Sequence, residues 1–383
     1  MSPLPDLSGT RVWVMAKGYR PDEGGMQTYA QGVAEAYART GAAVTVFTQT
    51  SAGPRHERLH GAAGTTIDLV DIGAGKSPLV PVRFVQALRR ERARAGAPHF
   101  IHATTWRTSI PPMLLGLPYV TTFHGREFMY ARGPMLALMR RVARRARGFL
   151  AVSHYSAMRL AERLGSALPP ALVAWNGLSE EPDPAAPAPV KYSAAHSGTA
   201  LVFALCRLEP RKNIAGAVRA CAAAKAQGLA FRFVIGGRGP ELERLRTLVR
   251  ELGLEDRVEV AGFLPTARVN ELYRAADIFL HPQIEVDGGR DFEGFGIAIA
   301  DAMATGTAVV AGLDGGTREL IEDGVHGFCV NGRDQAAIDA ALIRLLADPA
   351  LRESLGAAAR QHTLAEFTWD RHVGRIFERF PVT

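Results

Sequence analysis

The sequence predicts an α/β fold built from two parallel sheets, and three observations lead to that prediction. Short apolar runs alternate with helical stretches along the 383-residue chain, which is typical of strand–helix units in a parallel sheet. The alternation stops at residues 180–189, where four of ten positions are Pro, and then starts again. Such a segment continues neither a helix nor a central strand, so we interpret it as a linker. The length also fits two domains of ordinary size.

In the first half, apolar runs predict seven strands, and the helical stretches lie between them. The strands are expected over residues 11–16, 43–48, 67–71, 100–103, 119–123, 149–152 and 172–175. The helices are expected over residues 27–39, 82–94, 134–147 and 155–164.

The second half repeats the pattern. Strands are expected over residues 200–205, 231–235, 258–261, 278–280, 308–311 and 328–330, with helices over 215–227 and 241–251 and others between the later strands. We therefore assign residues 1–185 and 186–368 to two domains, each with a Rossmann-like parallel sheet. Two such halves would hold a ligand in the cleft between them, near the carboxyl ends of their strands.

The composition excludes several classes of protein. Apolar residues make up 47% of the chain, which is enough for a sizeable core. Cys206, Cys221 and Cys329 are an odd number without metal-ligand spacing, which favours a reducing compartment. The first residues lack the basic and apolar regions of a signal peptide, and no stretch approaches the length of a membrane span. We expect a cytoplasmic protein.

The net charge of +7 is unevenly distributed. Residues 1–185 hold 22 Lys and Arg against 13 Asp and Glu, whereas residues 186–383 hold 23 against 25. The excess is concentrated at residues 89–94 and 140–147. Basic surfaces suit phosphates, so an anionic membrane surface is a candidate partner, and solvated helix faces are an equally good explanation. No nucleic-acid-binding motif accompanies the charge, so no nucleic acid partner is expected.

Residues 291–306, Asp-Phe-Glu-Gly-Phe-Gly-Ile-Ala-Ile-Ala-Asp-Ala-Met-Ala-Thr-Gly, are the most informative segment. Two acids, Glu293 and Asp301, lie eight positions apart. A helix that opens at Gly296 or Ile297 would offer its first N–H groups to an anion. Glu293 would lie just before the opening, and Asp301 about a turn inside. An ordinary capped helix with an acidic first turn explains the spacing equally well.

This segment resembles the donor-site signature of retaining glycosyltransferases of family 4, which have the GT-B fold. The similarity extends to residues 207–213, 237–240, 262–265, 308–311, 315–316 and 319–324, with weaker similarity at Gly24-Gly25, His124-Gly125 and residues 176–177. The family usually has Glu where this chain has Asp301, which leaves the ribose contact open. The resemblance implies two domains that face each other across a cleft, and a last helix, residues 369–383, that returns to the N-terminal domain.

Two cations follow the first strand of the second half and are the candidates for binding a diphosphate. Arg207 could bind it bidentately and Lys212 as a point charge, although plain surface residues of a loop are an alternative. The resemblance matches both to the family's diphosphate-binding pair. We assign Glu293 to the donor sugar and Asp301 to the ribose. No Asp-x-Asp motif lies nearby, so we expect neither a metal nor a cofactor. The other donor-site candidates are Gly24, Gly25, Gly237, Phe263, Leu264, Phe295, Gly296 and Ile297.

His124 is expected at the end of the strand over residues 119–123. A histidine there can bind a sugar hydroxyl or carry charge near a reacting centre, and a purely structural histidine is the alternative from the residues alone. The resemblance places a histidine in this Phe-His-Gly context at the reacting sugar. We therefore count His124 with Glu293, Arg207 and Lys212 as catalytic, and Arg126 as a candidate acceptor contact.

The sequence thus predicts a retaining, metal-independent transferase. It would move a sugar from a nucleotide-sugar, UDP- or GDP-linked, to a hydroxyl of a saccharide or lipid-linked acceptor. A nucleotide-sugar epimerase or hydrolase on the same fold is one alternative. A non-catalytic nucleotide-binding protein is the other.

Overall fold

The computed structural model describes residues 4–61, 64–74, 79–165 and 168–381. It divides the chain into two compact units. Unit 1 comprises Met1–Ser179 together with Phe367–Thr383, and unit 2 comprises Glu180–Glu366. The last segment of the chain therefore belongs to the same unit as the first, and residues 382–383 of the predicted returning segment lie outside the described residues.

Unit 1 is built on an eight-stranded sheet. Its strands are β1 (Arg11–Met15), β2 (Ala43–Thr48), β3 (Pro54–His60), β4 (Thr66–Ile72), β5 (Phe100–Ala103), β6 (Val120–Phe123), β7 (Gly148–Ala151) and β8 (Leu172–Val173). They are arranged in the order β3-β4-β2-β1-β5-β6-β7-β8. All neighbours are parallel except β3 and β4, which are antiparallel. β5, β6 and β7 are buried at every position, because helices cover both faces of the sheet.

The helices of unit 1 connect these strands. They are α1 (Gly25–Arg39), α2 (Val80–Ala95), α3 (Ile110–Leu114), α4 (Arg126–Met129), α5 (Gly133–Arg145) and α6 (His154–Leu164). Ser153 caps α6, where its side chain accepts a hydrogen bond from the amide of Ser156 at 3.0 Å.

Unit 2 holds a six-stranded sheet in which every pair is parallel. Its helices are α7 (Tyr192–Ala195), α8 (Ile214–Ala226), α9 (Leu242–Glu251), α10 (Thr266–Ala275), α11 (Ile297–Ala304), α12 (Gln335–Ala347) and α13 (Pro349–Glu366). Its strands are β9 (Ala200–Leu205), β10 (Phe231–Gly236), β11 (Val258–Gly262), β12 (Ile278–His281), β13 (Ala308–Gly312) and β14 (Gly327–Val330). Their order is β11-β10-β9-β12-β13-β14.

The last helix of the chain, α14 (Trp369–Arg379), packs against α1 in unit 1. Its buried residues recur at helical spacing, which gives it one apolar face: Trp369, His372, Val373, Ile376 and Phe377. The close approach depends on Gly32 of α1, because a Cβ there would lie 2.0 Å from the Trp369 ring.

The predicted strands and long helices are confirmed to within a few residues, and the α/β fold with two parallel sheets is confirmed with them. The sequence did not predict β3, since Pro54–His60 is polar, mostly exposed and lacks an apolar run. It pairs antiparallel at the edge of the sheet, where one face needs no core contacts. Within the described ranges, no helix has both the length and the apolar character needed to cross a bilayer.

Candidate active site

The loop after β9 carries the cations that the sequence predicted. It forms a short 3₁₀ helix, Pro210–Lys212, and ends at Asn213, whose φ of 49° is left-handed. The side-chain amide of Asn213 donates to the carbonyl of Gly332 at 2.6 Å, and its side-chain oxygen accepts from the amide of Gly216 at 3.3 Å. These bonds fix the end of the loop at the carboxyl edge of the unit 2 sheet.

Glu293 lies against this loop and pairs with two cations. Its carboxylate accepts a hydrogen bond from the ammonium of Lys212 and one from the guanidinium of Arg211, with Nη1 and Oε2 2.8 Å apart. The three side chains are 15%, 10% and 9% exposed, respectively. Burial favours the neutral form of Glu293, but the nearby charges of Lys212 and Arg211 outweigh it and hold the pKa of this carboxyl well below its ordinary range. Glu293 is therefore ionised at neutral pH.

Arg211 was not among the predicted site residues, yet it is the arginine that contacts Glu293. Its Nε also lies 3.3 Å from the carboxylate of Asp291 and 3.5 Å from that of Glu209. The predicted Arg207 has a side chain that is 62% exposed and pairs with Glu209 at 2.9 Å. Arg211 thus contacts three carboxylates, those of Glu293, Asp291 and Glu209. Lys212 shares one of them, Glu293.

A buried histidine lies close enough to Lys212, Glu293 and Arg211 for their charges to act on it. His281, at the end of β12, is 1% exposed. Burial, together with the charge of Lys212, lowers the pKa of His281 to about 4, so its ring is neutral at pH 7. The amide of Gln283 is oriented by Gly312, whose N–H donates to Oε1 and whose carbonyl accepts from Nε2. Because Oε1 of Gln283 also lies 2.9 Å from Nδ1 of His281, that ring nitrogen carries the proton.

The predicted helix start in residues 291–306 is confirmed. α11 begins at Ile297, and Gly296 is its N-cap with a φ of 102°, a conformation that favours glycine. Glu293 lies just before this start. Asp301 is half-buried in the middle of α11, where its charge adds to the effect of burial in raising the pKa of Tyr273.

Two neighbouring loops bring together three of the predicted donor-site residues, Gly237, Phe263 and Leu264. Gly237 follows β10, and its amide donates to the carbonyl of Gly262 at 2.7 Å. A Cβ at Gly237 would lie 1.7 Å from the carbonyl of Cys206, so the loop after β9 is also in contact. The Phe263 ring is 48% exposed, and the guanidinium of Arg238 lies over it at 4.2 Å from the centroid. This stacked pair offers an exposed flat surface, and the half-buried Leu264 follows it.

In unit 1, His124 follows β6 and is held on several sides. Glu127 accepts hydrogen bonds from the amides of His124 and Gly125 at 2.6 and 3.0 Å, which fixes the backbone. Nε2 of His124 lies 2.7 Å from the carbonyl of Thr104. A carbonyl only accepts, so Nε2 carries the proton and a neutral ring has its lone pair on Nδ1. Both carboxylate oxygens of Glu127 therefore accept hydrogen bonds from backbone amides.

The other predicted residues of unit 1 lie at the starts of α1 and α4. Gly24 is the N-cap of α1, with a φ of 138°, and Gly25 is its first residue. Arg126 is exposed at the start of α4, and its guanidinium lies 5.6 Å from the centroid of the Tyr130 ring. Among the described residues, no group of three or more His, Cys, Asp or Glu is arranged to hold a metal ion.

Comparison with known proteins identifies the family. The model of "Glycosyl transferases group 1" matches residues 191–362, and that of "Glycosyltransferase Family 4" matches residues 23–181. The chain is 31% identical to the D-inositol 3-phosphate glycosyltransferase of Acidothermus cellulolyticus, over 93% of its own length and 85% of the relative's. The chain is a family 4 glycosyltransferase. It is also 28% identical to the GDP-mannose-dependent alpha-(1-6)-phosphatidylinositol monomannoside mannosyltransferase of Mycobacterium tuberculosis, over 96% and 97% of the two lengths.

Solved structures show that this glycosyltransferase has the GT-B fold. Sucrose-phosphate synthase from Thermosynechococcus elongatus is similar with a TM-score of 0.75 at 21% identity, covering 97% of this chain and 98% of that one. Anabaena HepE in complex with UDP and glucose has a TM-score of 0.72 at 20% identity, with coverages of 98% and 100%. The predicted family, fold and glycosyl transfer from a nucleotide-sugar are therefore confirmed.

Proposed function

We propose that this glycosyltransferase retains the anomeric configuration of its donor and works without a metal ion. The buried cluster of Lys212, Arg211 and Glu293 beside the start of α11 supports catalysis without a metal. The resemblance of residues 291–306 to the donor-site signature of retaining enzymes supports retention. Transfer releases a nucleoside diphosphate, and its developing charge must be met by cations, N–H groups or a metal. Lys212 and the N–H groups near Gly296 would supply the first two.

The donor contacts follow from the same cluster. Lys212 would turn from Glu293 to the diphosphate, and Glu293 would then be available to the hydroxyls of the sugar. The exposed Arg207 would add a second cation from the same loop. Asp301 would hold the ribose. The stacked pair of Arg238 and Phe263 would lie against the base, because aromatic and guanidinium faces stack on any base.

In the proposed mechanism, the acceptor hydroxyl attacks from the face that the leaving diphosphate vacates. A diphosphate oxygen takes the proton of that hydroxyl as the new glycosidic bond forms and the sugar–phosphate bond breaks. His124 would accept a hydrogen bond from a sugar hydroxyl at Nδ1, the nitrogen left by its contact with Thr104. Arg126 is proposed for the acceptor.

Two curated relatives suggest where to look for substrates. One is named for GDP-mannose and phosphatidylinositol monomannoside, and the other for D-inositol 3-phosphate. Both acceptors carry inositol and phosphate. We therefore propose a saccharide or lipid-linked acceptor, and GDP-mannose with inositol-bearing acceptors forms the first pair to test.

The test follows donor consumption with and without acceptors. UDP- and GDP-sugars are screened by thermal shift, because a ligand that binds only the folded state raises the Tm. The best donor is then incubated with each acceptor, and the anomeric configuration of the product is read by NMR. An acceptor-dependent product of retained configuration is expected. Acceptor-independent release of free sugar or epimer would support a hydrolase or epimerase, and binding without turnover would support a non-catalytic protein.

The absence of a metal requirement is tested in the same assay. We expect the transfer rate to survive EDTA, since Lys212 and Arg211 already pair with Glu293 and supply cations at the predicted diphosphate site. Loss of most activity on chelation, with recovery on adding Mg²⁺ or Mn²⁺, would overturn this part of the proposal.

We further propose that unit 1 docks on an anionic membrane at the cytoplasmic face. Leu79 and Val82, at the start of α2, are 61% and 49% exposed, and Leu114 of the adjoining α3 is 64% exposed. The C-terminal half of α2 carries exposed arginines at residues 89–94. Apolar side chains beside a basic helix fit a surface of anionic lipids.

Vesicle flotation tests this docking. Wild type should float with phosphatidylserine or phosphatidylinositol vesicles at low salt and be released at high salt. Val82→Ser should weaken flotation, whereas Leu313→Ser, a matched change at a 40% exposed residue of unit 2, should not. No flotation at low salt would leave the arginines as a solvated helix face.

A further inference from the structure

A buried polar cluster in unit 1 connects the last helix of the chain to the proposed catalytic histidine. Tyr29 of α1 is fully buried, and its ring meets the His124 ring edge to face, with centroids 4.7 Å apart and planes at 88°. The Tyr29 hydroxyl lies 2.8 Å from Oγ1 of Thr122 and 2.9 Å from Nε2 of His372, which is on α14. Three elements distant in sequence therefore meet at one hydroxyl group.

The proton positions in this cluster follow from its fixed acceptors. Nδ1 of His372 lies 2.8 Å from the carbonyl of Trp175, so Nδ1 carries the proton. Burial lowers the pKa of His372 to about 4, so the ring is neutral and Nε2 is an acceptor. The Tyr29 hydroxyl must then donate to His372, and its oxygen accepts from Thr122.

The remaining members complete the chain of hydrogen bonds. Nε2 of His102 lies 2.8 Å from Oγ1 of Thr122, and its Nδ1 lies 2.8 Å from the hydroxyl of Tyr37. One arrangement therefore satisfies all these groups, with Tyr37 donating to His102, His102 to Thr122, Thr122 to Tyr29 and Tyr29 to His372. A fully satisfied buried network holds its members in one orientation.

We propose that Tyr29 is a positioning residue for His124, and that His372 sets the orientation of Tyr29, so that α14 is a working part of the catalytic half-site in unit 1. This inference rests on the proposed role of His124. Two contacts confine the His124 ring: Thr104 holds Nε2, and the Tyr29 ring lies against its face or edge. The Tyr29 ring in turn is held by the bond of its hydroxyl to His372. Breaking that bond frees the Tyr29 ring to tilt and the His124 ring to follow.

The test compares Tyr29→Phe with Tyr37→Phe. Both changes delete one hydroxyl from the same buried network, but Tyr37 bonds to His102 rather than to His372. Tyr29→Phe should lower kcat about tenfold with the donor KM unchanged, as expected when the reacting geometry is loosened while donor binding is kept. Tyr37→Phe should leave kcat within about twofold of wild type. His372→Gln, which keeps an acceptor, should lie closer to wild type than His372→Leu.

A second readout needs no activity. In ¹⁵N-histidine spectra of the full chain, with His124 assigned by loss of its signals in His124→Gln, the ring signals of His124 should move in Tyr29→Phe and stay in place in Tyr37→Phe. Unchanged His124 signals with unchanged kcat in Tyr29→Phe would overturn the inference, as would equal effects of the two Tyr→Phe changes. If wild type transfers no sugar, the proposed function fails while the spectra still decide the positioning of His124.

Discussion

Replacing Glu293 with Gln removes the carboxylate that Lys212 and Arg211 share. The amide keeps the shape of the side chain, but its oxygen is uncharged and its NH₂ group is a donor that faces two cations. All three side chains are at most 15% exposed, so water replaces little of the missing interaction. The change therefore tests both the stability of unit 2 and the role of Glu293 in transfer.

The expected loss of stability can be placed within a known range. Breaking a buried ion pair costs about 3–5 kcal/mol, because an uncompensated charge is left behind. The loss here should lie near the lower limit, since Arg211 keeps Asp291 and Glu209 as neighbours and only the Lys212 charge loses its carboxylate. For a unit of this size, about 3 kcal/mol corresponds to a Tm shift on the order of 10 °C.

The assay combines thermal unfolding with kinetics. Glu259→Gln is the control, because Glu259 is an exposed glutamate on β11 of the same unit. Glu293→Gln should lower kcat by more than it raises the donor KM, as expected if Glu293 holds the sugar in the transition state. Adding Lys212→Met to Glu293→Gln should restore part of the Tm, because the orphaned charge is gone, without restoring kcat.

The pH dependence gives an independent check on the same residue. The pKa of Glu293 is depressed in the folded state, so its stabilisation is complete above the ordinary carboxyl pKa of about 4.3 and is lost as the pH falls below it. Wild type should therefore lose more stability than Glu293→Gln below that pH. Parallel curves together with wild-type Tm and turnover in Glu293→Gln would refute the reasoning.

Three further outcomes are expected. Asp301→Ala should weaken binding of the free nucleoside diphosphate and Asp301→Glu should not, and equal calorimetric affinities for wild type and Asp301→Ala would exclude the ribose role. Lys212→Ala should lower kcat about 10²–10³-fold in steady-state kinetics. Lys225 pairs with an exposed carboxylate on the surface, so the control Lys225→Ala should keep a kcat near that of wild type. The pKa values of His281 and His372 are lowered to about 4 in the fold, against about 6.5 unfolded. The unfolded chain then binds more protons between these values, so the free energy of unfolding should fall as the pH drops from about 6.5 to 4, and a flat profile in urea titrations would contradict their burial as neutral rings.

The elements of the fold were predictable because buried parallel strands leave a strong signal. β9 and β13 are continuous apolar runs, since both of their faces are covered. β3 left no such signal, because an exposed edge strand needs no apolar face. The return of α14 to unit 1 was expected only from the resemblance, since an amphipathic pattern does not say which surface it covers.

The candidate site was predictable as a set of segments, but not in its pairings. Arg207 and Arg211 lie four positions apart in one loop, and the sequence does not show which of them faces Glu293. The 3₁₀ turn at Pro210–Lys212, ended by the left-handed Asn213, decides it by directing Arg211 and Lys212 inward. The partners of His124 were hidden for a related reason, because Thr104 and Tyr29 lie on other elements that meet only in the folded unit.

The placement of α14 in unit 1 also sets the order in which the chain can mature on the ribosome. Domains generally fold as units in the order of synthesis. Here the slot at Gly32, the space on α1 that the Trp369 ring fills, stays open until Trp369 has been synthesised. Trp369 is synthesised only after all of unit 2. We expect a released chain truncated after residue 366 to protect unit 2 from protease while leaving Tyr29 and its surroundings open to cleavage. The amino-terminal half would thus be the last to finish, and a chain cut short before Trp369 would present that slot to chaperones and proteases.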